Sequence, residues 1–428
     1  FVNGERVELR GCNRHESMPG FGRALPSTFH VEDARRIREM GLNFVRLSHY
    51  PQHPCFLDAC DELGIMVYAE IASWKSVRKG RWMKSSCRQL HDMIARDRNH
   101  PSVILWGMGN ESRSRKAYAE MKRIVRKLDP DRPVTYAENH FYRATRERTT
   151  DVSDVWGLNY EFEALENGCN ASRLKSVIVS ECSNYPHAKR GEPPEELKQV
   201  RMIENDLAVI EGKPHVAGFA LWAWNDYGTL RKGRYRRYSG IVDAWGVPKM
   251  SAALIQARYG REPFVKALGN WSINGEPSKR EIHIFTNCDK GVLSMRNEKI
   301  LELDGMTHLV REVEFEAADL MVAGTMAGQT VADKLVPFDV ARFVTVTGER
   351  ADEKVRAGEV VAVIFRILDE RRNQVMDWNG ELAVQIEGPA VFMAYSDAST
   401  VMVSGGVGRG FLGTAGKTDT VRIIAKFP

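Results

Sequence analysis

The stretch NFVRLSHYPQHPCFLDACDELGIMVYAE, residues 43–70, decides how the chain is read. It opens on an apolar run, passes through an amphipathic segment that stops at Gly64, and returns to an apolar run ending in Glu70. The pattern continues in both directions. Between residue 7 and about residue 260 there are eight β-like runs: VELRGCN, NFVRLSH, IMVYAE, VILWGMGN, PVTYAEN, DVWGLNY, SVIVSE and AGFALWAW. Helical patterns such as VEDARRIREMG, RQLHDMIARDR, KAYAEMKRIVRKL and PEELKQVRMIENDLAVIEG lie between them, and MSAALIQARYG follows the last. No clear helical pattern follows DVWGLNY. Several runs are apolar on both faces, as strands of a covered parallel sheet are. Eight alternations over about 250 residues predict a (β/α)8 TIM barrel over residues 1–262.

After residue 263 the helical period stops. KREIHIFTN, GVLSMRN and HLVREVEFEA, then RFVTVTGE, VVAVIFRILDE, ELAVQIEGP and TVRIIAKF, alternate with Gly, Asn and Asp turns. These predict two all-β immunoglobulin-like sandwich domains, residues 263–340 and 341–428. Two glycine motifs here are decoys. Gly408, Gly410 and Gly413 match a dinucleotide fingerprint by spacing, but they sit among strands. GTAGKT lacks the first glycine of a phosphate loop, since Phe411 stands there.

The composition is that of a globular chain: 43% hydrophobic, 27% charged, formal charge +5 over 428 residues. That charge does not call for a nucleic-acid partner, and no apolar run approaches the roughly 18 residues of a membrane span. The seven cysteines (12, 55, 60, 87, 169, 182 and 288) are odd in number, irregularly spaced and without a C-x-x-C pair. This pattern predicts reduced thiols rather than a disulfide framework or zinc cluster. The chain opens on FVNGERVELRG without an initiator Met, so residues upstream are expected. Localisation stays open between cytoplasm and periplasm, and oligomerisation stays open as well.

In an α/β barrel the chemistry collects at the C-terminal strand ends. Those ends carry His15, Arg46 with His49, Glu70, Asn110-Glu111, Glu138-Asn139-His140, Asn159-Tyr160, Glu181, and Trp222 with Trp224, Asn225 and Asp226. Aromatics beside carboxylates and amides suit a sugar, whose C–H faces stack on indole while polar groups bind its hydroxyls. Asn110-Glu111-Ser112 also fits the N-glycosylation acceptor pattern, a reading poorly suited to the end of a barrel strand. Glu111 and Glu181 end strands on opposite sides of the mouth. Retaining glycosidases need two carboxyl groups about 5 Å apart, one nucleophile and one acid/base. The acid is expected to have a raised pKa, and the apolar lead-in of Glu111 suits it.

These residues resemble glycoside hydrolase family 2, the family of β-galactosidases, β-glucuronidases and β-mannosidases. The resemblance rests on LRGCNRHE, MGLNFVRLSHYPQHPCFLDACDELGIMVYAE, RDRNHPSVILWGMGNES, VIVSE and GFALWAWND, and covers nearly all of residues 1–260. It implies Glu111 as acid/base, Glu181 as nucleophile, Asn110 on the sugar 2-hydroxyl, and Tyr160 bonded to the nucleophile. His15, His49 and Trp222 would line the glycone pocket. Trp224, Asn159 and Arg46 complete the expected substrate-binding set, acting on an oligo- or polysaccharide. It also implies a jelly-roll and a sandwich domain before the barrel, which this sequence does not contain.

Departures from the family pattern qualify the substrate. Magnesium-using galactosidases carry Glu and His after the third strand, where this chain has EIASWKSVRKG, so no such metal site and no cofactor are expected. The Asn-x-Lys pair of glucuronidases has no clear counterpart here. The segments RLSHYP and Arg14-His15-Glu16 are nearer to galactosidases. Against that, basic residues crowd three loops: Lys75, Arg78, Lys79, Arg81 and Lys84; Lys189 and Arg190; and Arg231, Lys232, Arg234, Arg236 and Arg237. They raise the alternative of an anionic glycan, uronate or sulfated. A non-catalytic carbohydrate-binding relative is the alternative of a different class.

Overall fold

The computed structural model describes residues 2–76, 80–112, 114–165, 176–231, 234–276, 278–348, 359–393, 399–414 and 421–427. By contacts the chain divides into two compact units. One holds residues 1–16, 25–186 and 198–240; the other holds residues 17–24, 187–197 and 241–428.

The first unit is a closed parallel barrel of eight strands in sequence order: β1 (Leu9–Arg14), β2 (Phe44–Leu47), β3 (Met66–Glu70), β4 (Val103–Asn110), β5 (Val134–Glu138), β6 (Trp156–Asn159), β7 (Val177–Cys182) and β8 (Val216–Leu221). β1 pairs with both β2 and β8, which closes the ring and removes any free edge. The connecting helices begin and end where the sequence provides caps. Pro54 starts helix Pro54–Leu63 and Gly64, at φ 66°, ends it. Ser114 accepts the Ala117 N–H at the start of helix Arg115–Leu128, whose buried face carries Ala117, Tyr118, Met121 and Val125. Residues 166–175, where the sequence showed no clear helix, lie outside the described residues.

The floor of the barrel is apolar. Leu9, Phe44, Tyr68, Leu105, Ile178 and Ala220 pack into one buried cluster. Two residues further along stand Arg46, Glu70 and Ser180 on their strands, and Trp222 just past the end of β8. Period-two alternation returns the side chain to the same face, so strands that begin apolar inside become polar inside toward their C-terminal ends. Gly107 makes room for this: a Cβ there would lie 2.4 Å from the Tyr68 ring and 3.0 Å from the Glu70 side chain.

After β8 the basic segment forms an antiparallel hairpin of β9 (Tyr227–Arg231) and β10 (Arg234–Arg237), where the sequence suggested a loop. In the second unit β11 (Val265–Leu268), β12 (Lys279–Thr286) and β15 (His308–Glu314) form one sheet. β13 (Lys290–Met295), β14 (Glu298–Asp304), β16 (Leu320–Met326) and β17 (Gln329–Leu335) form a second. Trp271, Ile282, Ile284, Leu293, Leu320 and Val322 are among the residues of their shared core. The remaining strands, β18 (Phe343–Gly348), β19 (Val360–Leu368), β20 (Gly380–Glu387), β21 (Ala390–Met393), β22 (Thr400–Ser404), β23 (Val407–Thr414) and β24 (Arg422–Lys426), join one antiparallel sheet around a core that includes Phe365, Ile367, Leu382 and Val403.

Gly408, Gly410 and Gly413 all lie within β23, paired to β19, so their spacing belongs to a strand and not to a phosphate cradle. The last residues of GTAGKT lie outside the described residues. No helix among the described residues is long and apolar enough to cross a membrane.

Candidate active site

The two carboxylates arrive on strands whose pairing slips just before them. The β4–β5 register shifts between Gly107 and Asn110, and the β7–β8 register shifts between Val179 and Cys182. An irregularity of this kind re-aims a side chain that strict alternation would send elsewhere. The backbone at both ends is also left-handed: Glu111 has φ 46°, and Ser183, just past β7, has φ 59°. Tyr160, just past β6, has φ 62°. For residues with a Cβ each such conformation costs on the order of 1–3 kcal/mol, which the surrounding packing must hold.

Glu181 is embedded in polar partners. Arg46 Nη1 donates to its Oε1 at 2.8 Å and the Tyr160 hydroxyl donates to its Oε2 at 2.6 Å. His49 Nε2 lies 3.5 Å from Oε1. Arg46 is fully buried and gives its remaining donors to Glu70 Oε2 (2.9 and 2.6 Å), Asn110 Oδ1 (2.9 Å) and the Ser180 carbonyl (3.2 Å). Burial alone would raise the Glu70 carboxyl, but Arg46 and His49 outweigh it and hold the group below its ordinary value. Burial followed by the Glu181 charge pushes the Tyr160 hydroxyl well above its ordinary value, so it stays a donor. One guanidinium thus serves two carboxylates, and the mesh keeps an excess of negative charge at the mouth. A group placed there can attack, or stabilise, a carbon that develops positive charge.

Arg46 and Asn159, both at zero exposure, are engaged in holding the site together. The Asn159 amide donates to Asn110 Oδ1 at 2.9 Å and to Glu111 Oε1 at 3.5 Å, and its carbonyl accepts the Ser180 hydroxyl at 2.7 Å. Asn110 is likewise fully buried, with its oxygen on Arg46 and Asn159 and its nitrogen 3.3 Å from His49 Nε2. A buried amide bonded at both ends is no glycosylation acceptor, which disposes of that reading.

Glu111 is held differently. Its Oε2 accepts the Trp74 indole N–H at 3.1 Å and lies 3.1 Å from the Lys75 ammonium, both from the loop after β3. The sequence predicted a raised pKa. Burial does push the carboxyl up, but the Trp74 and Lys75 hydrogen bonds, the Lys75 charge and the Asn159 amide outweigh it and leave the group below its ordinary value. The expectation failed because these partners come from another strand's loop, which nothing in ILWGMGNES reveals.

A cluster of rings stands beside the carboxylates. His49 stacks on Trp222 (centroids 5.2 Å apart, planes at 19°), and His15 meets Trp222 edge-on at 5.3 Å. Tyr227, not singled out from the sequence, joins them: its ring lies 4.3 Å from His15 and its hydroxyl accepts the Trp222 indole N–H at 2.9 Å. Trp224 is not part of this wall. It is fully buried, with its indole N–H on Asp33 at 3.0 Å. The sequence placed it with Trp222 at one strand end, but β8 ends at Leu221 and the alternation lapses there.

The basic residues divide. Lys75 sits on Glu111. Arg190 is spent on Asp243 at 2.6 Å and on the carbonyl of Val407, and Lys189 pairs with Glu192. Arg78, Lys79 and Lys232, and the side chains of Arg231 and Arg234, lie outside the described residues. Among the described residues one metal-compatible group, Asp58, Asp61 and His100, lies on the helix after β2 and the turn before β4. There Asp61 already accepts the Ser102 N–H at 2.9 Å and lies 2.7 Å from His100 Nδ1, which accounts for it as a turn clamp.

Residues 1–261 match the model of the TIM barrel domain of glycosyl hydrolases family 2. A β-galactosidase of Thermoanaerobacterium thermosulfurigenes is 26% identical, over 94% of this chain and 61% of its own length. A putative β-glucuronidase of Formosa agariphila is also 26% identical, over 78% of this chain and 48% of its own. The chain therefore spans about half to three fifths of these curated relatives. Among solved structures, a β-glycosidase from Bacteroides vulgatus superposes with TM-score 0.83 at 20% identity, covering all of this chain and 64% of that one. That likeness is one of fold.

Proposed function

The chain belongs to glycosyl hydrolases family 2, and from that premise we propose that it is a retaining β-glycosidase, β-galactosidase-like in its preference, that removes terminal β-linked sugars. One observation carries the reading. Two carboxylates from β4 and β7 are tied into a single buried mesh through Asn110, Asn159 and Arg46, each with an environment suited to a different half of the reaction.

In this reading Glu181 is the nucleophile. Arg46 and Tyr160 orient both of its oxygens, one of which attacks the anomeric carbon while the bond to the leaving oxygen breaks. Glu111, more open than Glu181, hands a proton to that oxygen and later takes one from the water that hydrolyses the ester. Asn110, tied on both amide ends, is placed to read the sugar 2-hydroxyl, and His15, His49 and Trp222 wall the glycone. The resemblance of RLSHYP and the match to a β-galactosidase support a neutral hexose.

A second reading, a glycan bearing uronate or sulfate, is favoured by Lys75 at the carboxylate and by the match to a putative β-glucuronidase. A panel of aryl β-glycosides, neutral and uronate, tests both. Turnover of the galactoside with retention at the anomeric centre is expected. Turnover of none, together with tight sugar binding, would make the protein a non-catalytic relative.

A further inference from the structure

The loop after β3 delivers two side chains to one oxygen of Glu111, and a glycosidase needs neither there merely to cleave a bond. Lys75 Nζ and Trp74 Nε1 each lie 3.1 Å from Oε2. The Lys75 side chain is 48% exposed and the Trp74 residue 43% exposed, although both touch a largely buried carboxylate. The ammonium also lies 5.2 Å from the indole centroid, so the two form one unit with an apolar face and a cation. Lys75 reaches the site from a left-handed backbone, φ 54°, pinned by its own N–H on the Asn110 carbonyl at 3.0 Å. Glu181, on the glycone side, has no such exposed partners among the described residues; its neighbours there are Arg46, which is buried, and Tyr160 and His49, which are partly buried.

Resting on the glycosidase reading above, we propose that Trp74 and Lys75 form the leaving-group subsite, and that this subsite selects a sugar carrying an anionic substituent, which draws Lys75 off Glu111 as it binds. The indole face stacks on the leaving sugar and the ammonium pairs with its carboxylate or sulfate. Among the described residues the groups facing Glu111 are Trp74 and Lys75 from this loop and Asn159 from β6, and of these Lys75 carries the charge. Once Lys75 turns to the substrate, the partly buried Glu111 carboxylate loses the ammonium at its Oε2 and takes a proton from solvent. That proton passes to the glycosidic oxygen as its bond to the anomeric carbon breaks and the Glu181 carboxylate bonds to that carbon. The leaving sugar departs with its anion, Lys75 returns, and Glu111 is held as the carboxylate that accepts a proton from the attacking water while the Glu181 ester is cleaved. The same lysine thus favours the acid form in the first half and the base form in the second.

The test uses the intact protein and disaccharides sharing the glycone it turns over best, with a second sugar that is neutral, a uronic acid, or sulfated. The wild type is expected to prefer an anionic second sugar by roughly five- to tenfold in kcat/KM at low salt, with the margin shrinking as salt rises. Which anionic arm leads identifies the substituent. Lys75→Met should bring all three substrates to within about twofold and move the alkaline limb of the kcat/KM profile for the neutral one to higher pH, because the free protein's acid loses the cation that depresses it. Lys75→Arg should keep the preference, and Lys127→Met, the same charge change on an exposed helix face, should leave ratio and profile as in the wild type. Equal rates on all three sugars, or a preference that survives Lys75→Met, overturn the assignment while leaving the glycosidase reading intact. A wild type that hydrolyses none of them and no aryl glycoside overturns that reading and this one with it.

Discussion

The ends of β7 and β4 present the same chemical group in two settings. Glu181 is 3% exposed, and its oxygens are fixed by a buried donor from β2 and a partly buried one from the end of β6. Glu111 is only partly buried, with one oxygen near the Asn159 amide and the other on two half-exposed side chains of a loop. The first arrangement keeps a carboxylate stationary and shielded. The second leaves a carboxylate whose counter-ion can move away. A nucleophile requires the former and a group that must gain and lose a proton in each cycle requires the latter, so the difference in wrapping supports the division of labour.

The strongest attack on that contrast is Glu181→Gln, which should lower turnover on the order of 10⁵-fold on activated aryl glycosides and on disaccharides alike, since no leaving group replaces a missing nucleophile. Glu111→Gln should separate the two substrates: roughly 10³-fold loss on disaccharides, where the acid is needed, and little loss in bond cleavage for an aryl group that departs unaided. Equal loss on both would erase the distinction between the carboxylates. Arg46→Met probes the mesh itself. It strands Glu70 and Glu181 without their guanidinium and should cost about 3–5 kcal/mol of stability, read from urea unfolding. Tyr160→Phe removes one charge-assisted hydrogen bond and should slow the reaction by about 10- to 100-fold without unfolding the protein.

The smallest effect expected is one of pH. Glu70 is held below its ordinary pKa in the folded chain, so its contribution to stability is present above the unfolded value of about 4.3 and lost as pH falls through the folded one. Glu70→Gln should flatten that acid limb of the stability profile.

Much of this was legible in the chain itself. Eight apolar runs separated by amphipathic segments give the barrel, because burial on both faces forces near-continuous apolar strands. Reading the last residues of those runs yields Glu111, Glu181, Asn110, His49 and Tyr160, all of which meet in one mesh, with Trp222 stacked on His49 beside it. What stayed hidden depends on tertiary placement. Arg46 reads as one polar residue among many at a strand end, and only the closed barrel shows the four partners that surround it. Trp224 shares parity with Trp222, but parity holds only while the strand continues. Lys75 was one of several basic residues in a loop, and only that loop's path shows it resting on Glu111 rather than beside its neighbours. The sign of the Glu111 shift was misread for the same reason.

The central claim is that Glu181 becomes covalently bonded to sugar. Incubation with a β-glycoside bearing 2-fluoro substitution and a good leaving group slows ester hydrolysis enough for the adduct to be trapped, digested and located by mass spectrometry. The account predicts one added glycosyl unit on the peptide containing Glu181, absent from Glu181→Gln and formed in Glu111→Gln. Active protein with no adduct and an inverted product anomer, or an adduct on any other residue, would contradict it.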